Sequence, residues 1–319
     1  AAAEAVAIAS GHSWAALSQQ AIYTPLGMHS TSSRYADFIA RADHAVGHVR
    51  SGGQFHVSVP GRQPDAQSPA GGASSSVSDM ARWMNMVLGQ GTVNGQVIVE
   101  RCALLAAVSP QVVSAAPLRP QARGSFYGFG FNVGNSAAGR VVLSHSGAFA
   151  LGAGTAFTLI PSLDVGIVTL TNAAPIGNTE TLNAEFADYV QFGKLTQDWK
   201  TLYRQRFASM DAPTGSLVGK APPAHPAPAR PLSHYSGVYE NPYYGTARVD
   251  VVDGRLMLTL GPDPGHRHLP LRHWDGDVFV FTPLGENAPY GSISKLTFGD
   301  DDLDIEYLET EYSGKFDKR

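Results

Sequence analysis

From Ala212 to Pro231 the chain reads "APTGSLVGKAPPAHPAPARP", with six prolines and few large apolar residues. Proline fixes φ and has no N–H to donate, so such a run fits neither a helix interior nor a central strand. It reads as an extended, semi-rigid linker. The chain therefore divides into residues 1–210, a linker over 211–231, and residues 232–319.

The last part is patterned for strands. "ARVDVVDGRLMLTL" is two alternating runs around Asp253-Gly254, a strong hairpin signal. "HWDGDVFVF" and "SKLTFGDDDLDIEYL" look similar. The expectation is a small antiparallel all-β domain, closed or nearly closed into a barrel, since closure removes exposed edges.

The first part mixes periods. Residues 1–9 are Ala-rich and helix-prone, with Ser10-Gly11 as a stop. Ser13 can cap a second helix that runs to about Ile22. In "SPAGGASSSVSDMARWMNMVLGQG", Ser76 with Asp79 has capping-box spacing. Met80, Trp83, Met84, Val87 and Leu88 then form one apolar stripe. From Phe126 the period becomes that of strands: "FYGFGFNV", "RVVLSHS", "TAFTLIP" and "VGIVTLTN". The short "SLD" between Pro161 and Val165 implies an antiparallel hairpin. Helices follow at about 180–192, with Phe186, Tyr189 and Val190 on one face, and at about 198–210, with Leu202, Tyr203 and Phe207 on one face.

The formal charge of −4 carries no basic block, which argues against nucleic acid as a partner. No apolar run approaches the roughly 20 residues that cross a bilayer. The single cysteine, Cys102, excludes an internal disulfide. It sits in the apolar stretch "VERCALLAAV" and reads as a small core residue.

Three local patterns imitate catalytic motifs. Ser13 in "SGHSWAAL" approaches G-x-S-x-G, but Ala15 replaces the second glycine and no strand precedes it. Ser292-Ile293-Ser294-Lys295 spells Ser-x-x-Lys in a strand-like run, where i and i+3 point to opposite sides. Tyr239-Glu240-Asn241 spells Tyr-x-Asn in the same β domain. The histidine pairs 44/48 and 266/268 lack the convergent ligands a metal needs.

The stretch "LSHSGAFALG" (143–152) is different. It places His145-Ser146-Gly147 at the end of an apolar strand. The glycine admits close approach of a substrate, and the Ala148 N–H could donate to an oxyanion. An ordinary strand end with a satisfied histidine fits the same letters.

The segments "PLGM", "PAGGASSSVSDMARWMNMVLGQG", "YGFGFNVG", "SHSGAFALG" and "LDVGIVTLTNAAP" occur in this order. As a set they resemble the second half of the serine β-lactamase-like family: class C β-lactamases, D-alanyl-D-alanine carboxypeptidases, D-aminopeptidases and related esterases. "LSHYSGVYENPYYG" opens a region similar to the lipocalin-like domain often appended to such proteins. The resemblance implies an α+β fold, an antiparallel sheet with flanking helices, followed by the β barrel. It implies an acyl-enzyme serine hydrolase without cofactor or metal, acting on a small-molecule ester, β-lactam or D-amino-acid peptide. It also implies a bacterial periplasmic or secreted location, with the cytoplasm as the alternative.

Three motifs carry that chemistry in the family. His145-Ser146-Gly147 resembles the third, in its His-x-Gly form. By resemblance His145 sits near a catalytic tyrosine and the substrate carboxylate. Ser146, Gly147 and Phe149 contact substrate, and the Ala148 N–H is an oxyanion donor. The Ser-x-x-Lys nucleophile and the Tyr-x-Asn motif do not appear at matching positions and are expected before Ala1. The chain alone is then expected to be inactive and to need that N-terminal portion as a partner for stability. Two other readings stand beside this one: a non-catalytic binding or regulatory relative, and an α/β-hydrolase that uses Ser13.

Overall fold

The computed structural model describes residues 1–59, 61–261, 268–283, 285, 288–309 and 312–319. They divide into two compact units, Ala1–Arg50 with Gln54–Met210, and Ser51–Gly53 with Asp211–Arg319.

The first unit begins with helices α1 (Ala2–Ser10) and α2 (Trp14–Ser18). Gly11 ends α1 at φ +70°, a conformation that costs glycine little. Ser13 caps α2 by accepting the Ala16 N–H at 3.3 Å. Beyond α2 the winding loosens into a π-type turn over Gln19–Tyr23.

Helix α3 (Val77–Leu88) has Ser76 as its cap, which accepts the Asp79 N–H at 3.2 Å. Only this half of the capping box forms. The buried Asp79 carboxylate instead takes the Ser30 N–H at 2.6 Å, the Thr31 hydroxyl at 2.9 Å and Arg82 at 2.7 Å. Met84, Met86 and Val87 are buried. Trp83 stacks on Phe131 and meets the edge of Phe157.

Helix α4 (Arg101–Ala107) corrects one expectation: Cys102 is exposed. Leu104 is the residue that α4 buries. Two positions along a helix are about 200° apart around its axis, so Cys102 faces the other way.

A six-stranded antiparallel sheet follows. Its strands are β1 (Val112–Ala115), β2 (Ser125–Tyr127), β3 (Asn132–Asn135), β4 (Val141–Phe149), β5 (Ala153–Ile160) and β6 (Val165–Thr171). They lie side by side in chain order. Helices cover both faces. α3 packs on the face that bears Phe157, and Met84 approaches Gly166 so closely that a Cβ there would stand 2.5 Å from it. On the opposite face, Asn183 of helix α5 (Asn178–Phe192) accepts the Thr169 hydroxyl at 2.8 Å.

The inward face of α5 differs from expectation. Thr179, Thr181, Asn183 and Asp188 are buried, while Tyr189 and Val190 are exposed and Phe186 is half-buried. Polar partners explain the inversion. Asp188 accepts the Thr196 N–H and hydroxyl, each at 2.7 Å, and the Trp199 indole N–H at 2.6 Å. Burial alone would raise its pKa, but these hydrogen bonds outweigh burial and hold it below the ordinary value. They fasten the turn into helix α6 (Trp199–Phe207).

The second unit is a nine-stranded antiparallel, nearly closed barrel. Its strands are β7 (Gly237–Asn241), β8 (Gly245–Val252), β9 (Arg255–Leu260), β10 (His268–Pro270), β11 (Arg272–Asp275), β12 (Val278–Phe281), β13 (Ser294–Phe298), β14 (Asp302–Ile305) and β15 (Lys315–Lys318). The sheet order is β10-β9-β8-β7-β15-β14-β13-β12-β11. The two end strands adjoin in sequence. Asp253 and Gly254 both have positive φ, as the tight β8–β9 turn demands. Ala247, Val249, Leu256, Leu258, Leu296, Leu303, Ile305 and Phe316 point inward and fill the interior.

The Pro-rich stretch lies along this barrel. Thr214 N–H donates to Ser292 Oγ at 2.9 Å, Ile293 N–H to the Thr214 carbonyl at 3.0 Å, and Ala227 N–H to Asp275 at 2.7 Å.

Tyr239 is buried in the barrel, and its hydroxyl donates to the Tyr235 carbonyl at 2.8 Å. Burial pushes its phenol from 10.0 up to about 12. A folded pKa above the unfolded one contributes stability that is complete below pH 10 and fades as pH rises toward 12. The expected loss is on the order of 2–3 kcal/mol. Denaturant unfolding of the barrel across that range measures it, and a flat profile would refute it.

Candidate functional site

Strand β4 carries the candidate site, and hydrogen-bond phase determines what it exposes. The β3–β4 turn is closed by Ser136 N–H to the Arg140 carbonyl at 2.8 Å. In an antiparallel pair, bonded positions recur at every second residue. With Asn135 opposite Val141, the residues of β4 that bond toward β3 are Val142 and Ser144. The far hairpin agrees: Gly152 N–H donates to the Phe149 carbonyl at 2.9 Å, placing Phe149 in the set that bonds toward β5. Ser146 and Ala148 therefore direct their N–H and C=O groups toward the β3 side.

Among the described residues, no strand receives them there. The β3–β4 pairing ends at Asn132 opposite Ser144, whereas the β4–β5 pairing continues from Leu143–Leu159 to Phe149–Ala153. Among the described residues, no strand pairs with the outer edge of residues 145–149. It presents two main-chain N–H groups, from Ser146 and Ala148, in one line.

The side chains frame that edge. His145 Nε2 lies 2.9 Å from the Tyr127 hydroxyl, and its Nδ1 lies 2.9 Å from the Ser146 carbonyl oxygen. The two rings meet edge to face at 5.8 Å. Phe149 folds back over Gly147, where a Cβ would stand 2.9 Å from its ring and 2.7 Å from Thr155 Oγ1. The Arg62 guanidinium stands 3.9 Å from the centre of the Phe149 ring, a cation–π contact. A side chain at 147 would have to displace Thr155 or the Phe149 ring.

The turn that closes β4 and β5 is pressed on the chain at Gly47-His48. Gly152 has φ +113°, and a Cβ there would lie 2.2 Å from the His48 nitrogen. A Cβ on Gly47 would lie 2.6 Å from the Leu151 carbonyl oxygen.

The five expected site residues, His145 through Phe149, are thus consecutive on one strand with an open edge. Tyr127 and Arg62 were not anticipated. Tyr127 closes "SFY" before a glycine-rich turn, where its letter reads as an ordinary strand aromatic. Arg62 sits in a polar stretch with no periodicity, and only the folded chain brings it to Phe149.

The imitation motifs have structural occupations. Ser292 Oγ donates to the Pro289 carbonyl at 2.6 Å and accepts Thr214 N–H, and Lys295 lies on strand β13. Asn241 donates to the carbonyls of Ser313 and Lys315 and accepts the N–H groups of Tyr243 and Tyr244. His44 and His48 bond the carbonyls of Arg41 and Asn172, and His268 bonds Thr259. His266 lies outside the described residues. Among the described residues no group of three or more His, Cys, Asp or Glu is placed to hold a metal ion. No helix among them is long and apolar enough to cross a membrane.

Comparison with known proteins adds to this geometry. A family model described as Beta-lactamase matches residues 1–191, and a domain of unknown function, DUF3471, matches residues 221–311. The unguisins hydrolase ungD of Aspergillus violaceofuscus is 27% identical over 299 residues, covering 85% of this chain and 52% of that protein. The chain thus spans about half the length of the curated relative it matches. The crystallised C-terminal domain of penicillin binding protein Rv0907 is 50% identical, covering 33% of this chain and 100% of that one, with a TM-score of 0.29. The octameric penicillin-binding protein homologue from Pyrococcus abyssi is 20% identical, covering 97% of this chain and 61% of that one, with a TM-score of 0.49.

Proposed function

Because the chain belongs to the Beta-lactamase family, we propose that the whole protein is a serine hydrolase that binds its acyl substrate along the open edge of β4. The carrying observation is the pair of outward N–H groups at Ser146 and Ala148, beyond the end of β3.

The mechanism follows from what such an edge does. A substrate peptide or amide lies beside the strand and exchanges main-chain hydrogen bonds with it. When a serine attacks the substrate carbonyl, its oxygen becomes an anion. In this reading the Ala148 N–H donates to that oxyanion, the largest stabilisation such a site supplies. His145, Ser146 and Phe149 orient the substrate, and Gly147 keeps the strand flat enough for close approach. The nucleophile and its proton acceptor are a Ser-x-x-Lys outside this chain, with a Tyr-x-Asn as the second acid–base group. The serine attacks, an alcohol or amine leaves, and water hydrolyses the ester. Substrates are small carboxylic esters, β-lactams or D-amino-acid peptides. The 27% identity to a protein named as a hydrolase supports the reaction class.

The test is covalent. The whole protein, incubated with a penicillin or an activated ester, is expected to gain the mass of the acyl group. Whole protein that carries both upstream motifs yet neither gains mass nor turns over an ester would leave the binding-module reading in its place.

A further inference from the structure

We infer that Tyr127 is a positioning residue that fixes the tautomer and orientation of His145. The inference rests on the proposed role of β4 for its functional meaning, but not for its geometry.

A carbonyl oxygen has only lone pairs, so the contact between His145 Nδ1 and the Ser146 oxygen at 2.9 Å requires the proton on Nδ1. In a neutral imidazole the other nitrogen then carries none. Nε2 is therefore an acceptor, and the Tyr127 hydroxyl 2.9 Å away is the donor. The two bonds hold the ring at both nitrogens. The Ser146 carbonyl belongs to the open edge, so one of these bonds ties the imidazole to the surface where substrate is to lie.

The consequence is specific. Without the tyrosine hydroxyl, Nε2 has no donor opposite it and the ring can exchange protons between its nitrogens and turn. With the hydroxyl, the ring is pinned against the Ser146 carbonyl on that edge. Tyr127 acts through His145 and need not touch the reacting atoms.

The experiment compares the whole protein with its Tyr127→Phe variant by long-range nitrogen–proton correlation of the histidine rings. His145→Gln assigns the signal, and the pH is set well above the imidazole range. The wild-type His145 is expected in the Nδ1–H form. The variant is expected to shift toward the Nε2–H form or to a mixture. A wild-type Nε2–H signal, or an unchanged spectrum in Tyr127→Phe, would overturn the inference. The wild-type spectrum decides the tautomer even if the variant does not fold. Where turnover is measurable, Tyr127→Phe is expected to lose roughly five- to tenfold in kcat/KM. Unaltered kinetics in a folded variant would overturn the positioning role. Absence of acylation by wild-type protein would instead remove the hydrolase reading and leave the tautomer assignment to the spectra.

Discussion

Replacing Ala148 with proline is expected to lower kcat of the whole protein by roughly 10²–10³, the cost of losing one oxyanion donor. The substitution is unusually clean at this site. The Ala148 N–H points away from β5, so the β4–β5 ladder keeps all its bonds. Proline is tolerated on the free edge of a sheet for that reason. The side chain that it replaces is only half-buried. Because the donor acts in the transition state, kcat and kcat/KM should fall together. Ala148→Gly keeps the N–H and should remain within a few-fold of wild type. A proline variant that folds and turns over an ester at the normal rate would dismiss Ala148 as a donor.

Truncating Phe316 to alanine should destabilise the barrel by about 3–5 kcal/mol, the usual range for a buried Phe. Phe316 is fully buried and opposite Leu303. Its strand, β15, has a special place: it is the last in sequence but lies in the middle of the sheet, between β7 and β14. It therefore joins strands β7–β10, which come first in the chain, to β11–β14. A cavity there loosens both halves at once. Trp274 is the one tryptophan in this unit, since the others are Trp14, Trp83 and Trp199. With Trp14, Trp83 and Trp199 replaced by Phe in both proteins compared, its fluorescence during denaturant unfolding reports the barrel. A change below about 1 kcal/mol would mean that the site collapses around the missing ring.

Much of this architecture was legible where local chemistry decides structure. Ser13, Ser76, Gly11 and Asp253-Gly254 do what caps, stops and tight turns require, because each acts on its own backbone neighbours. The strands from Val141 onward were legible for the same reason, since alternation is a local pattern; the strand expected over "FYGFGFNV" is instead a hairpin, in which Phe126 pairs with Val133 and Tyr127 with Asn132. Errors arose where a distant partner decides. The apolar residues of α5 turn outward because Thr196 and Trp199 draw Asp188 inward. Cys102 faces out because Leu104 has taken the inward place on a helix too short to bury both.

The candidate site divides in the same way. His145-Ser146-Gly147 was visible as a motif, and the residues after it follow by position. Its open edge was not visible, because it depends on where β3 stops. Tyr127 and Arg62 reach the site from 18 and 87 residues away in the sequence, respectively, and no spacing rule connects them to it.

The pinched turn at Gly152 bears on how such a site can change over time. Loops around a binding strand are the usual place where insertions accumulate and new specificities arise. At this end there is no room: Gly47 and Gly152 each exclude even a methyl group. Drift that lengthens or decorates the turn is barred unless both segments change together. Variation among descendants should therefore collect at the other borders of the strand, in the glycine-rich turn after Tyr127 and in the stretch that bears Arg62. Those are the places to randomise in a laboratory search for altered substrate range.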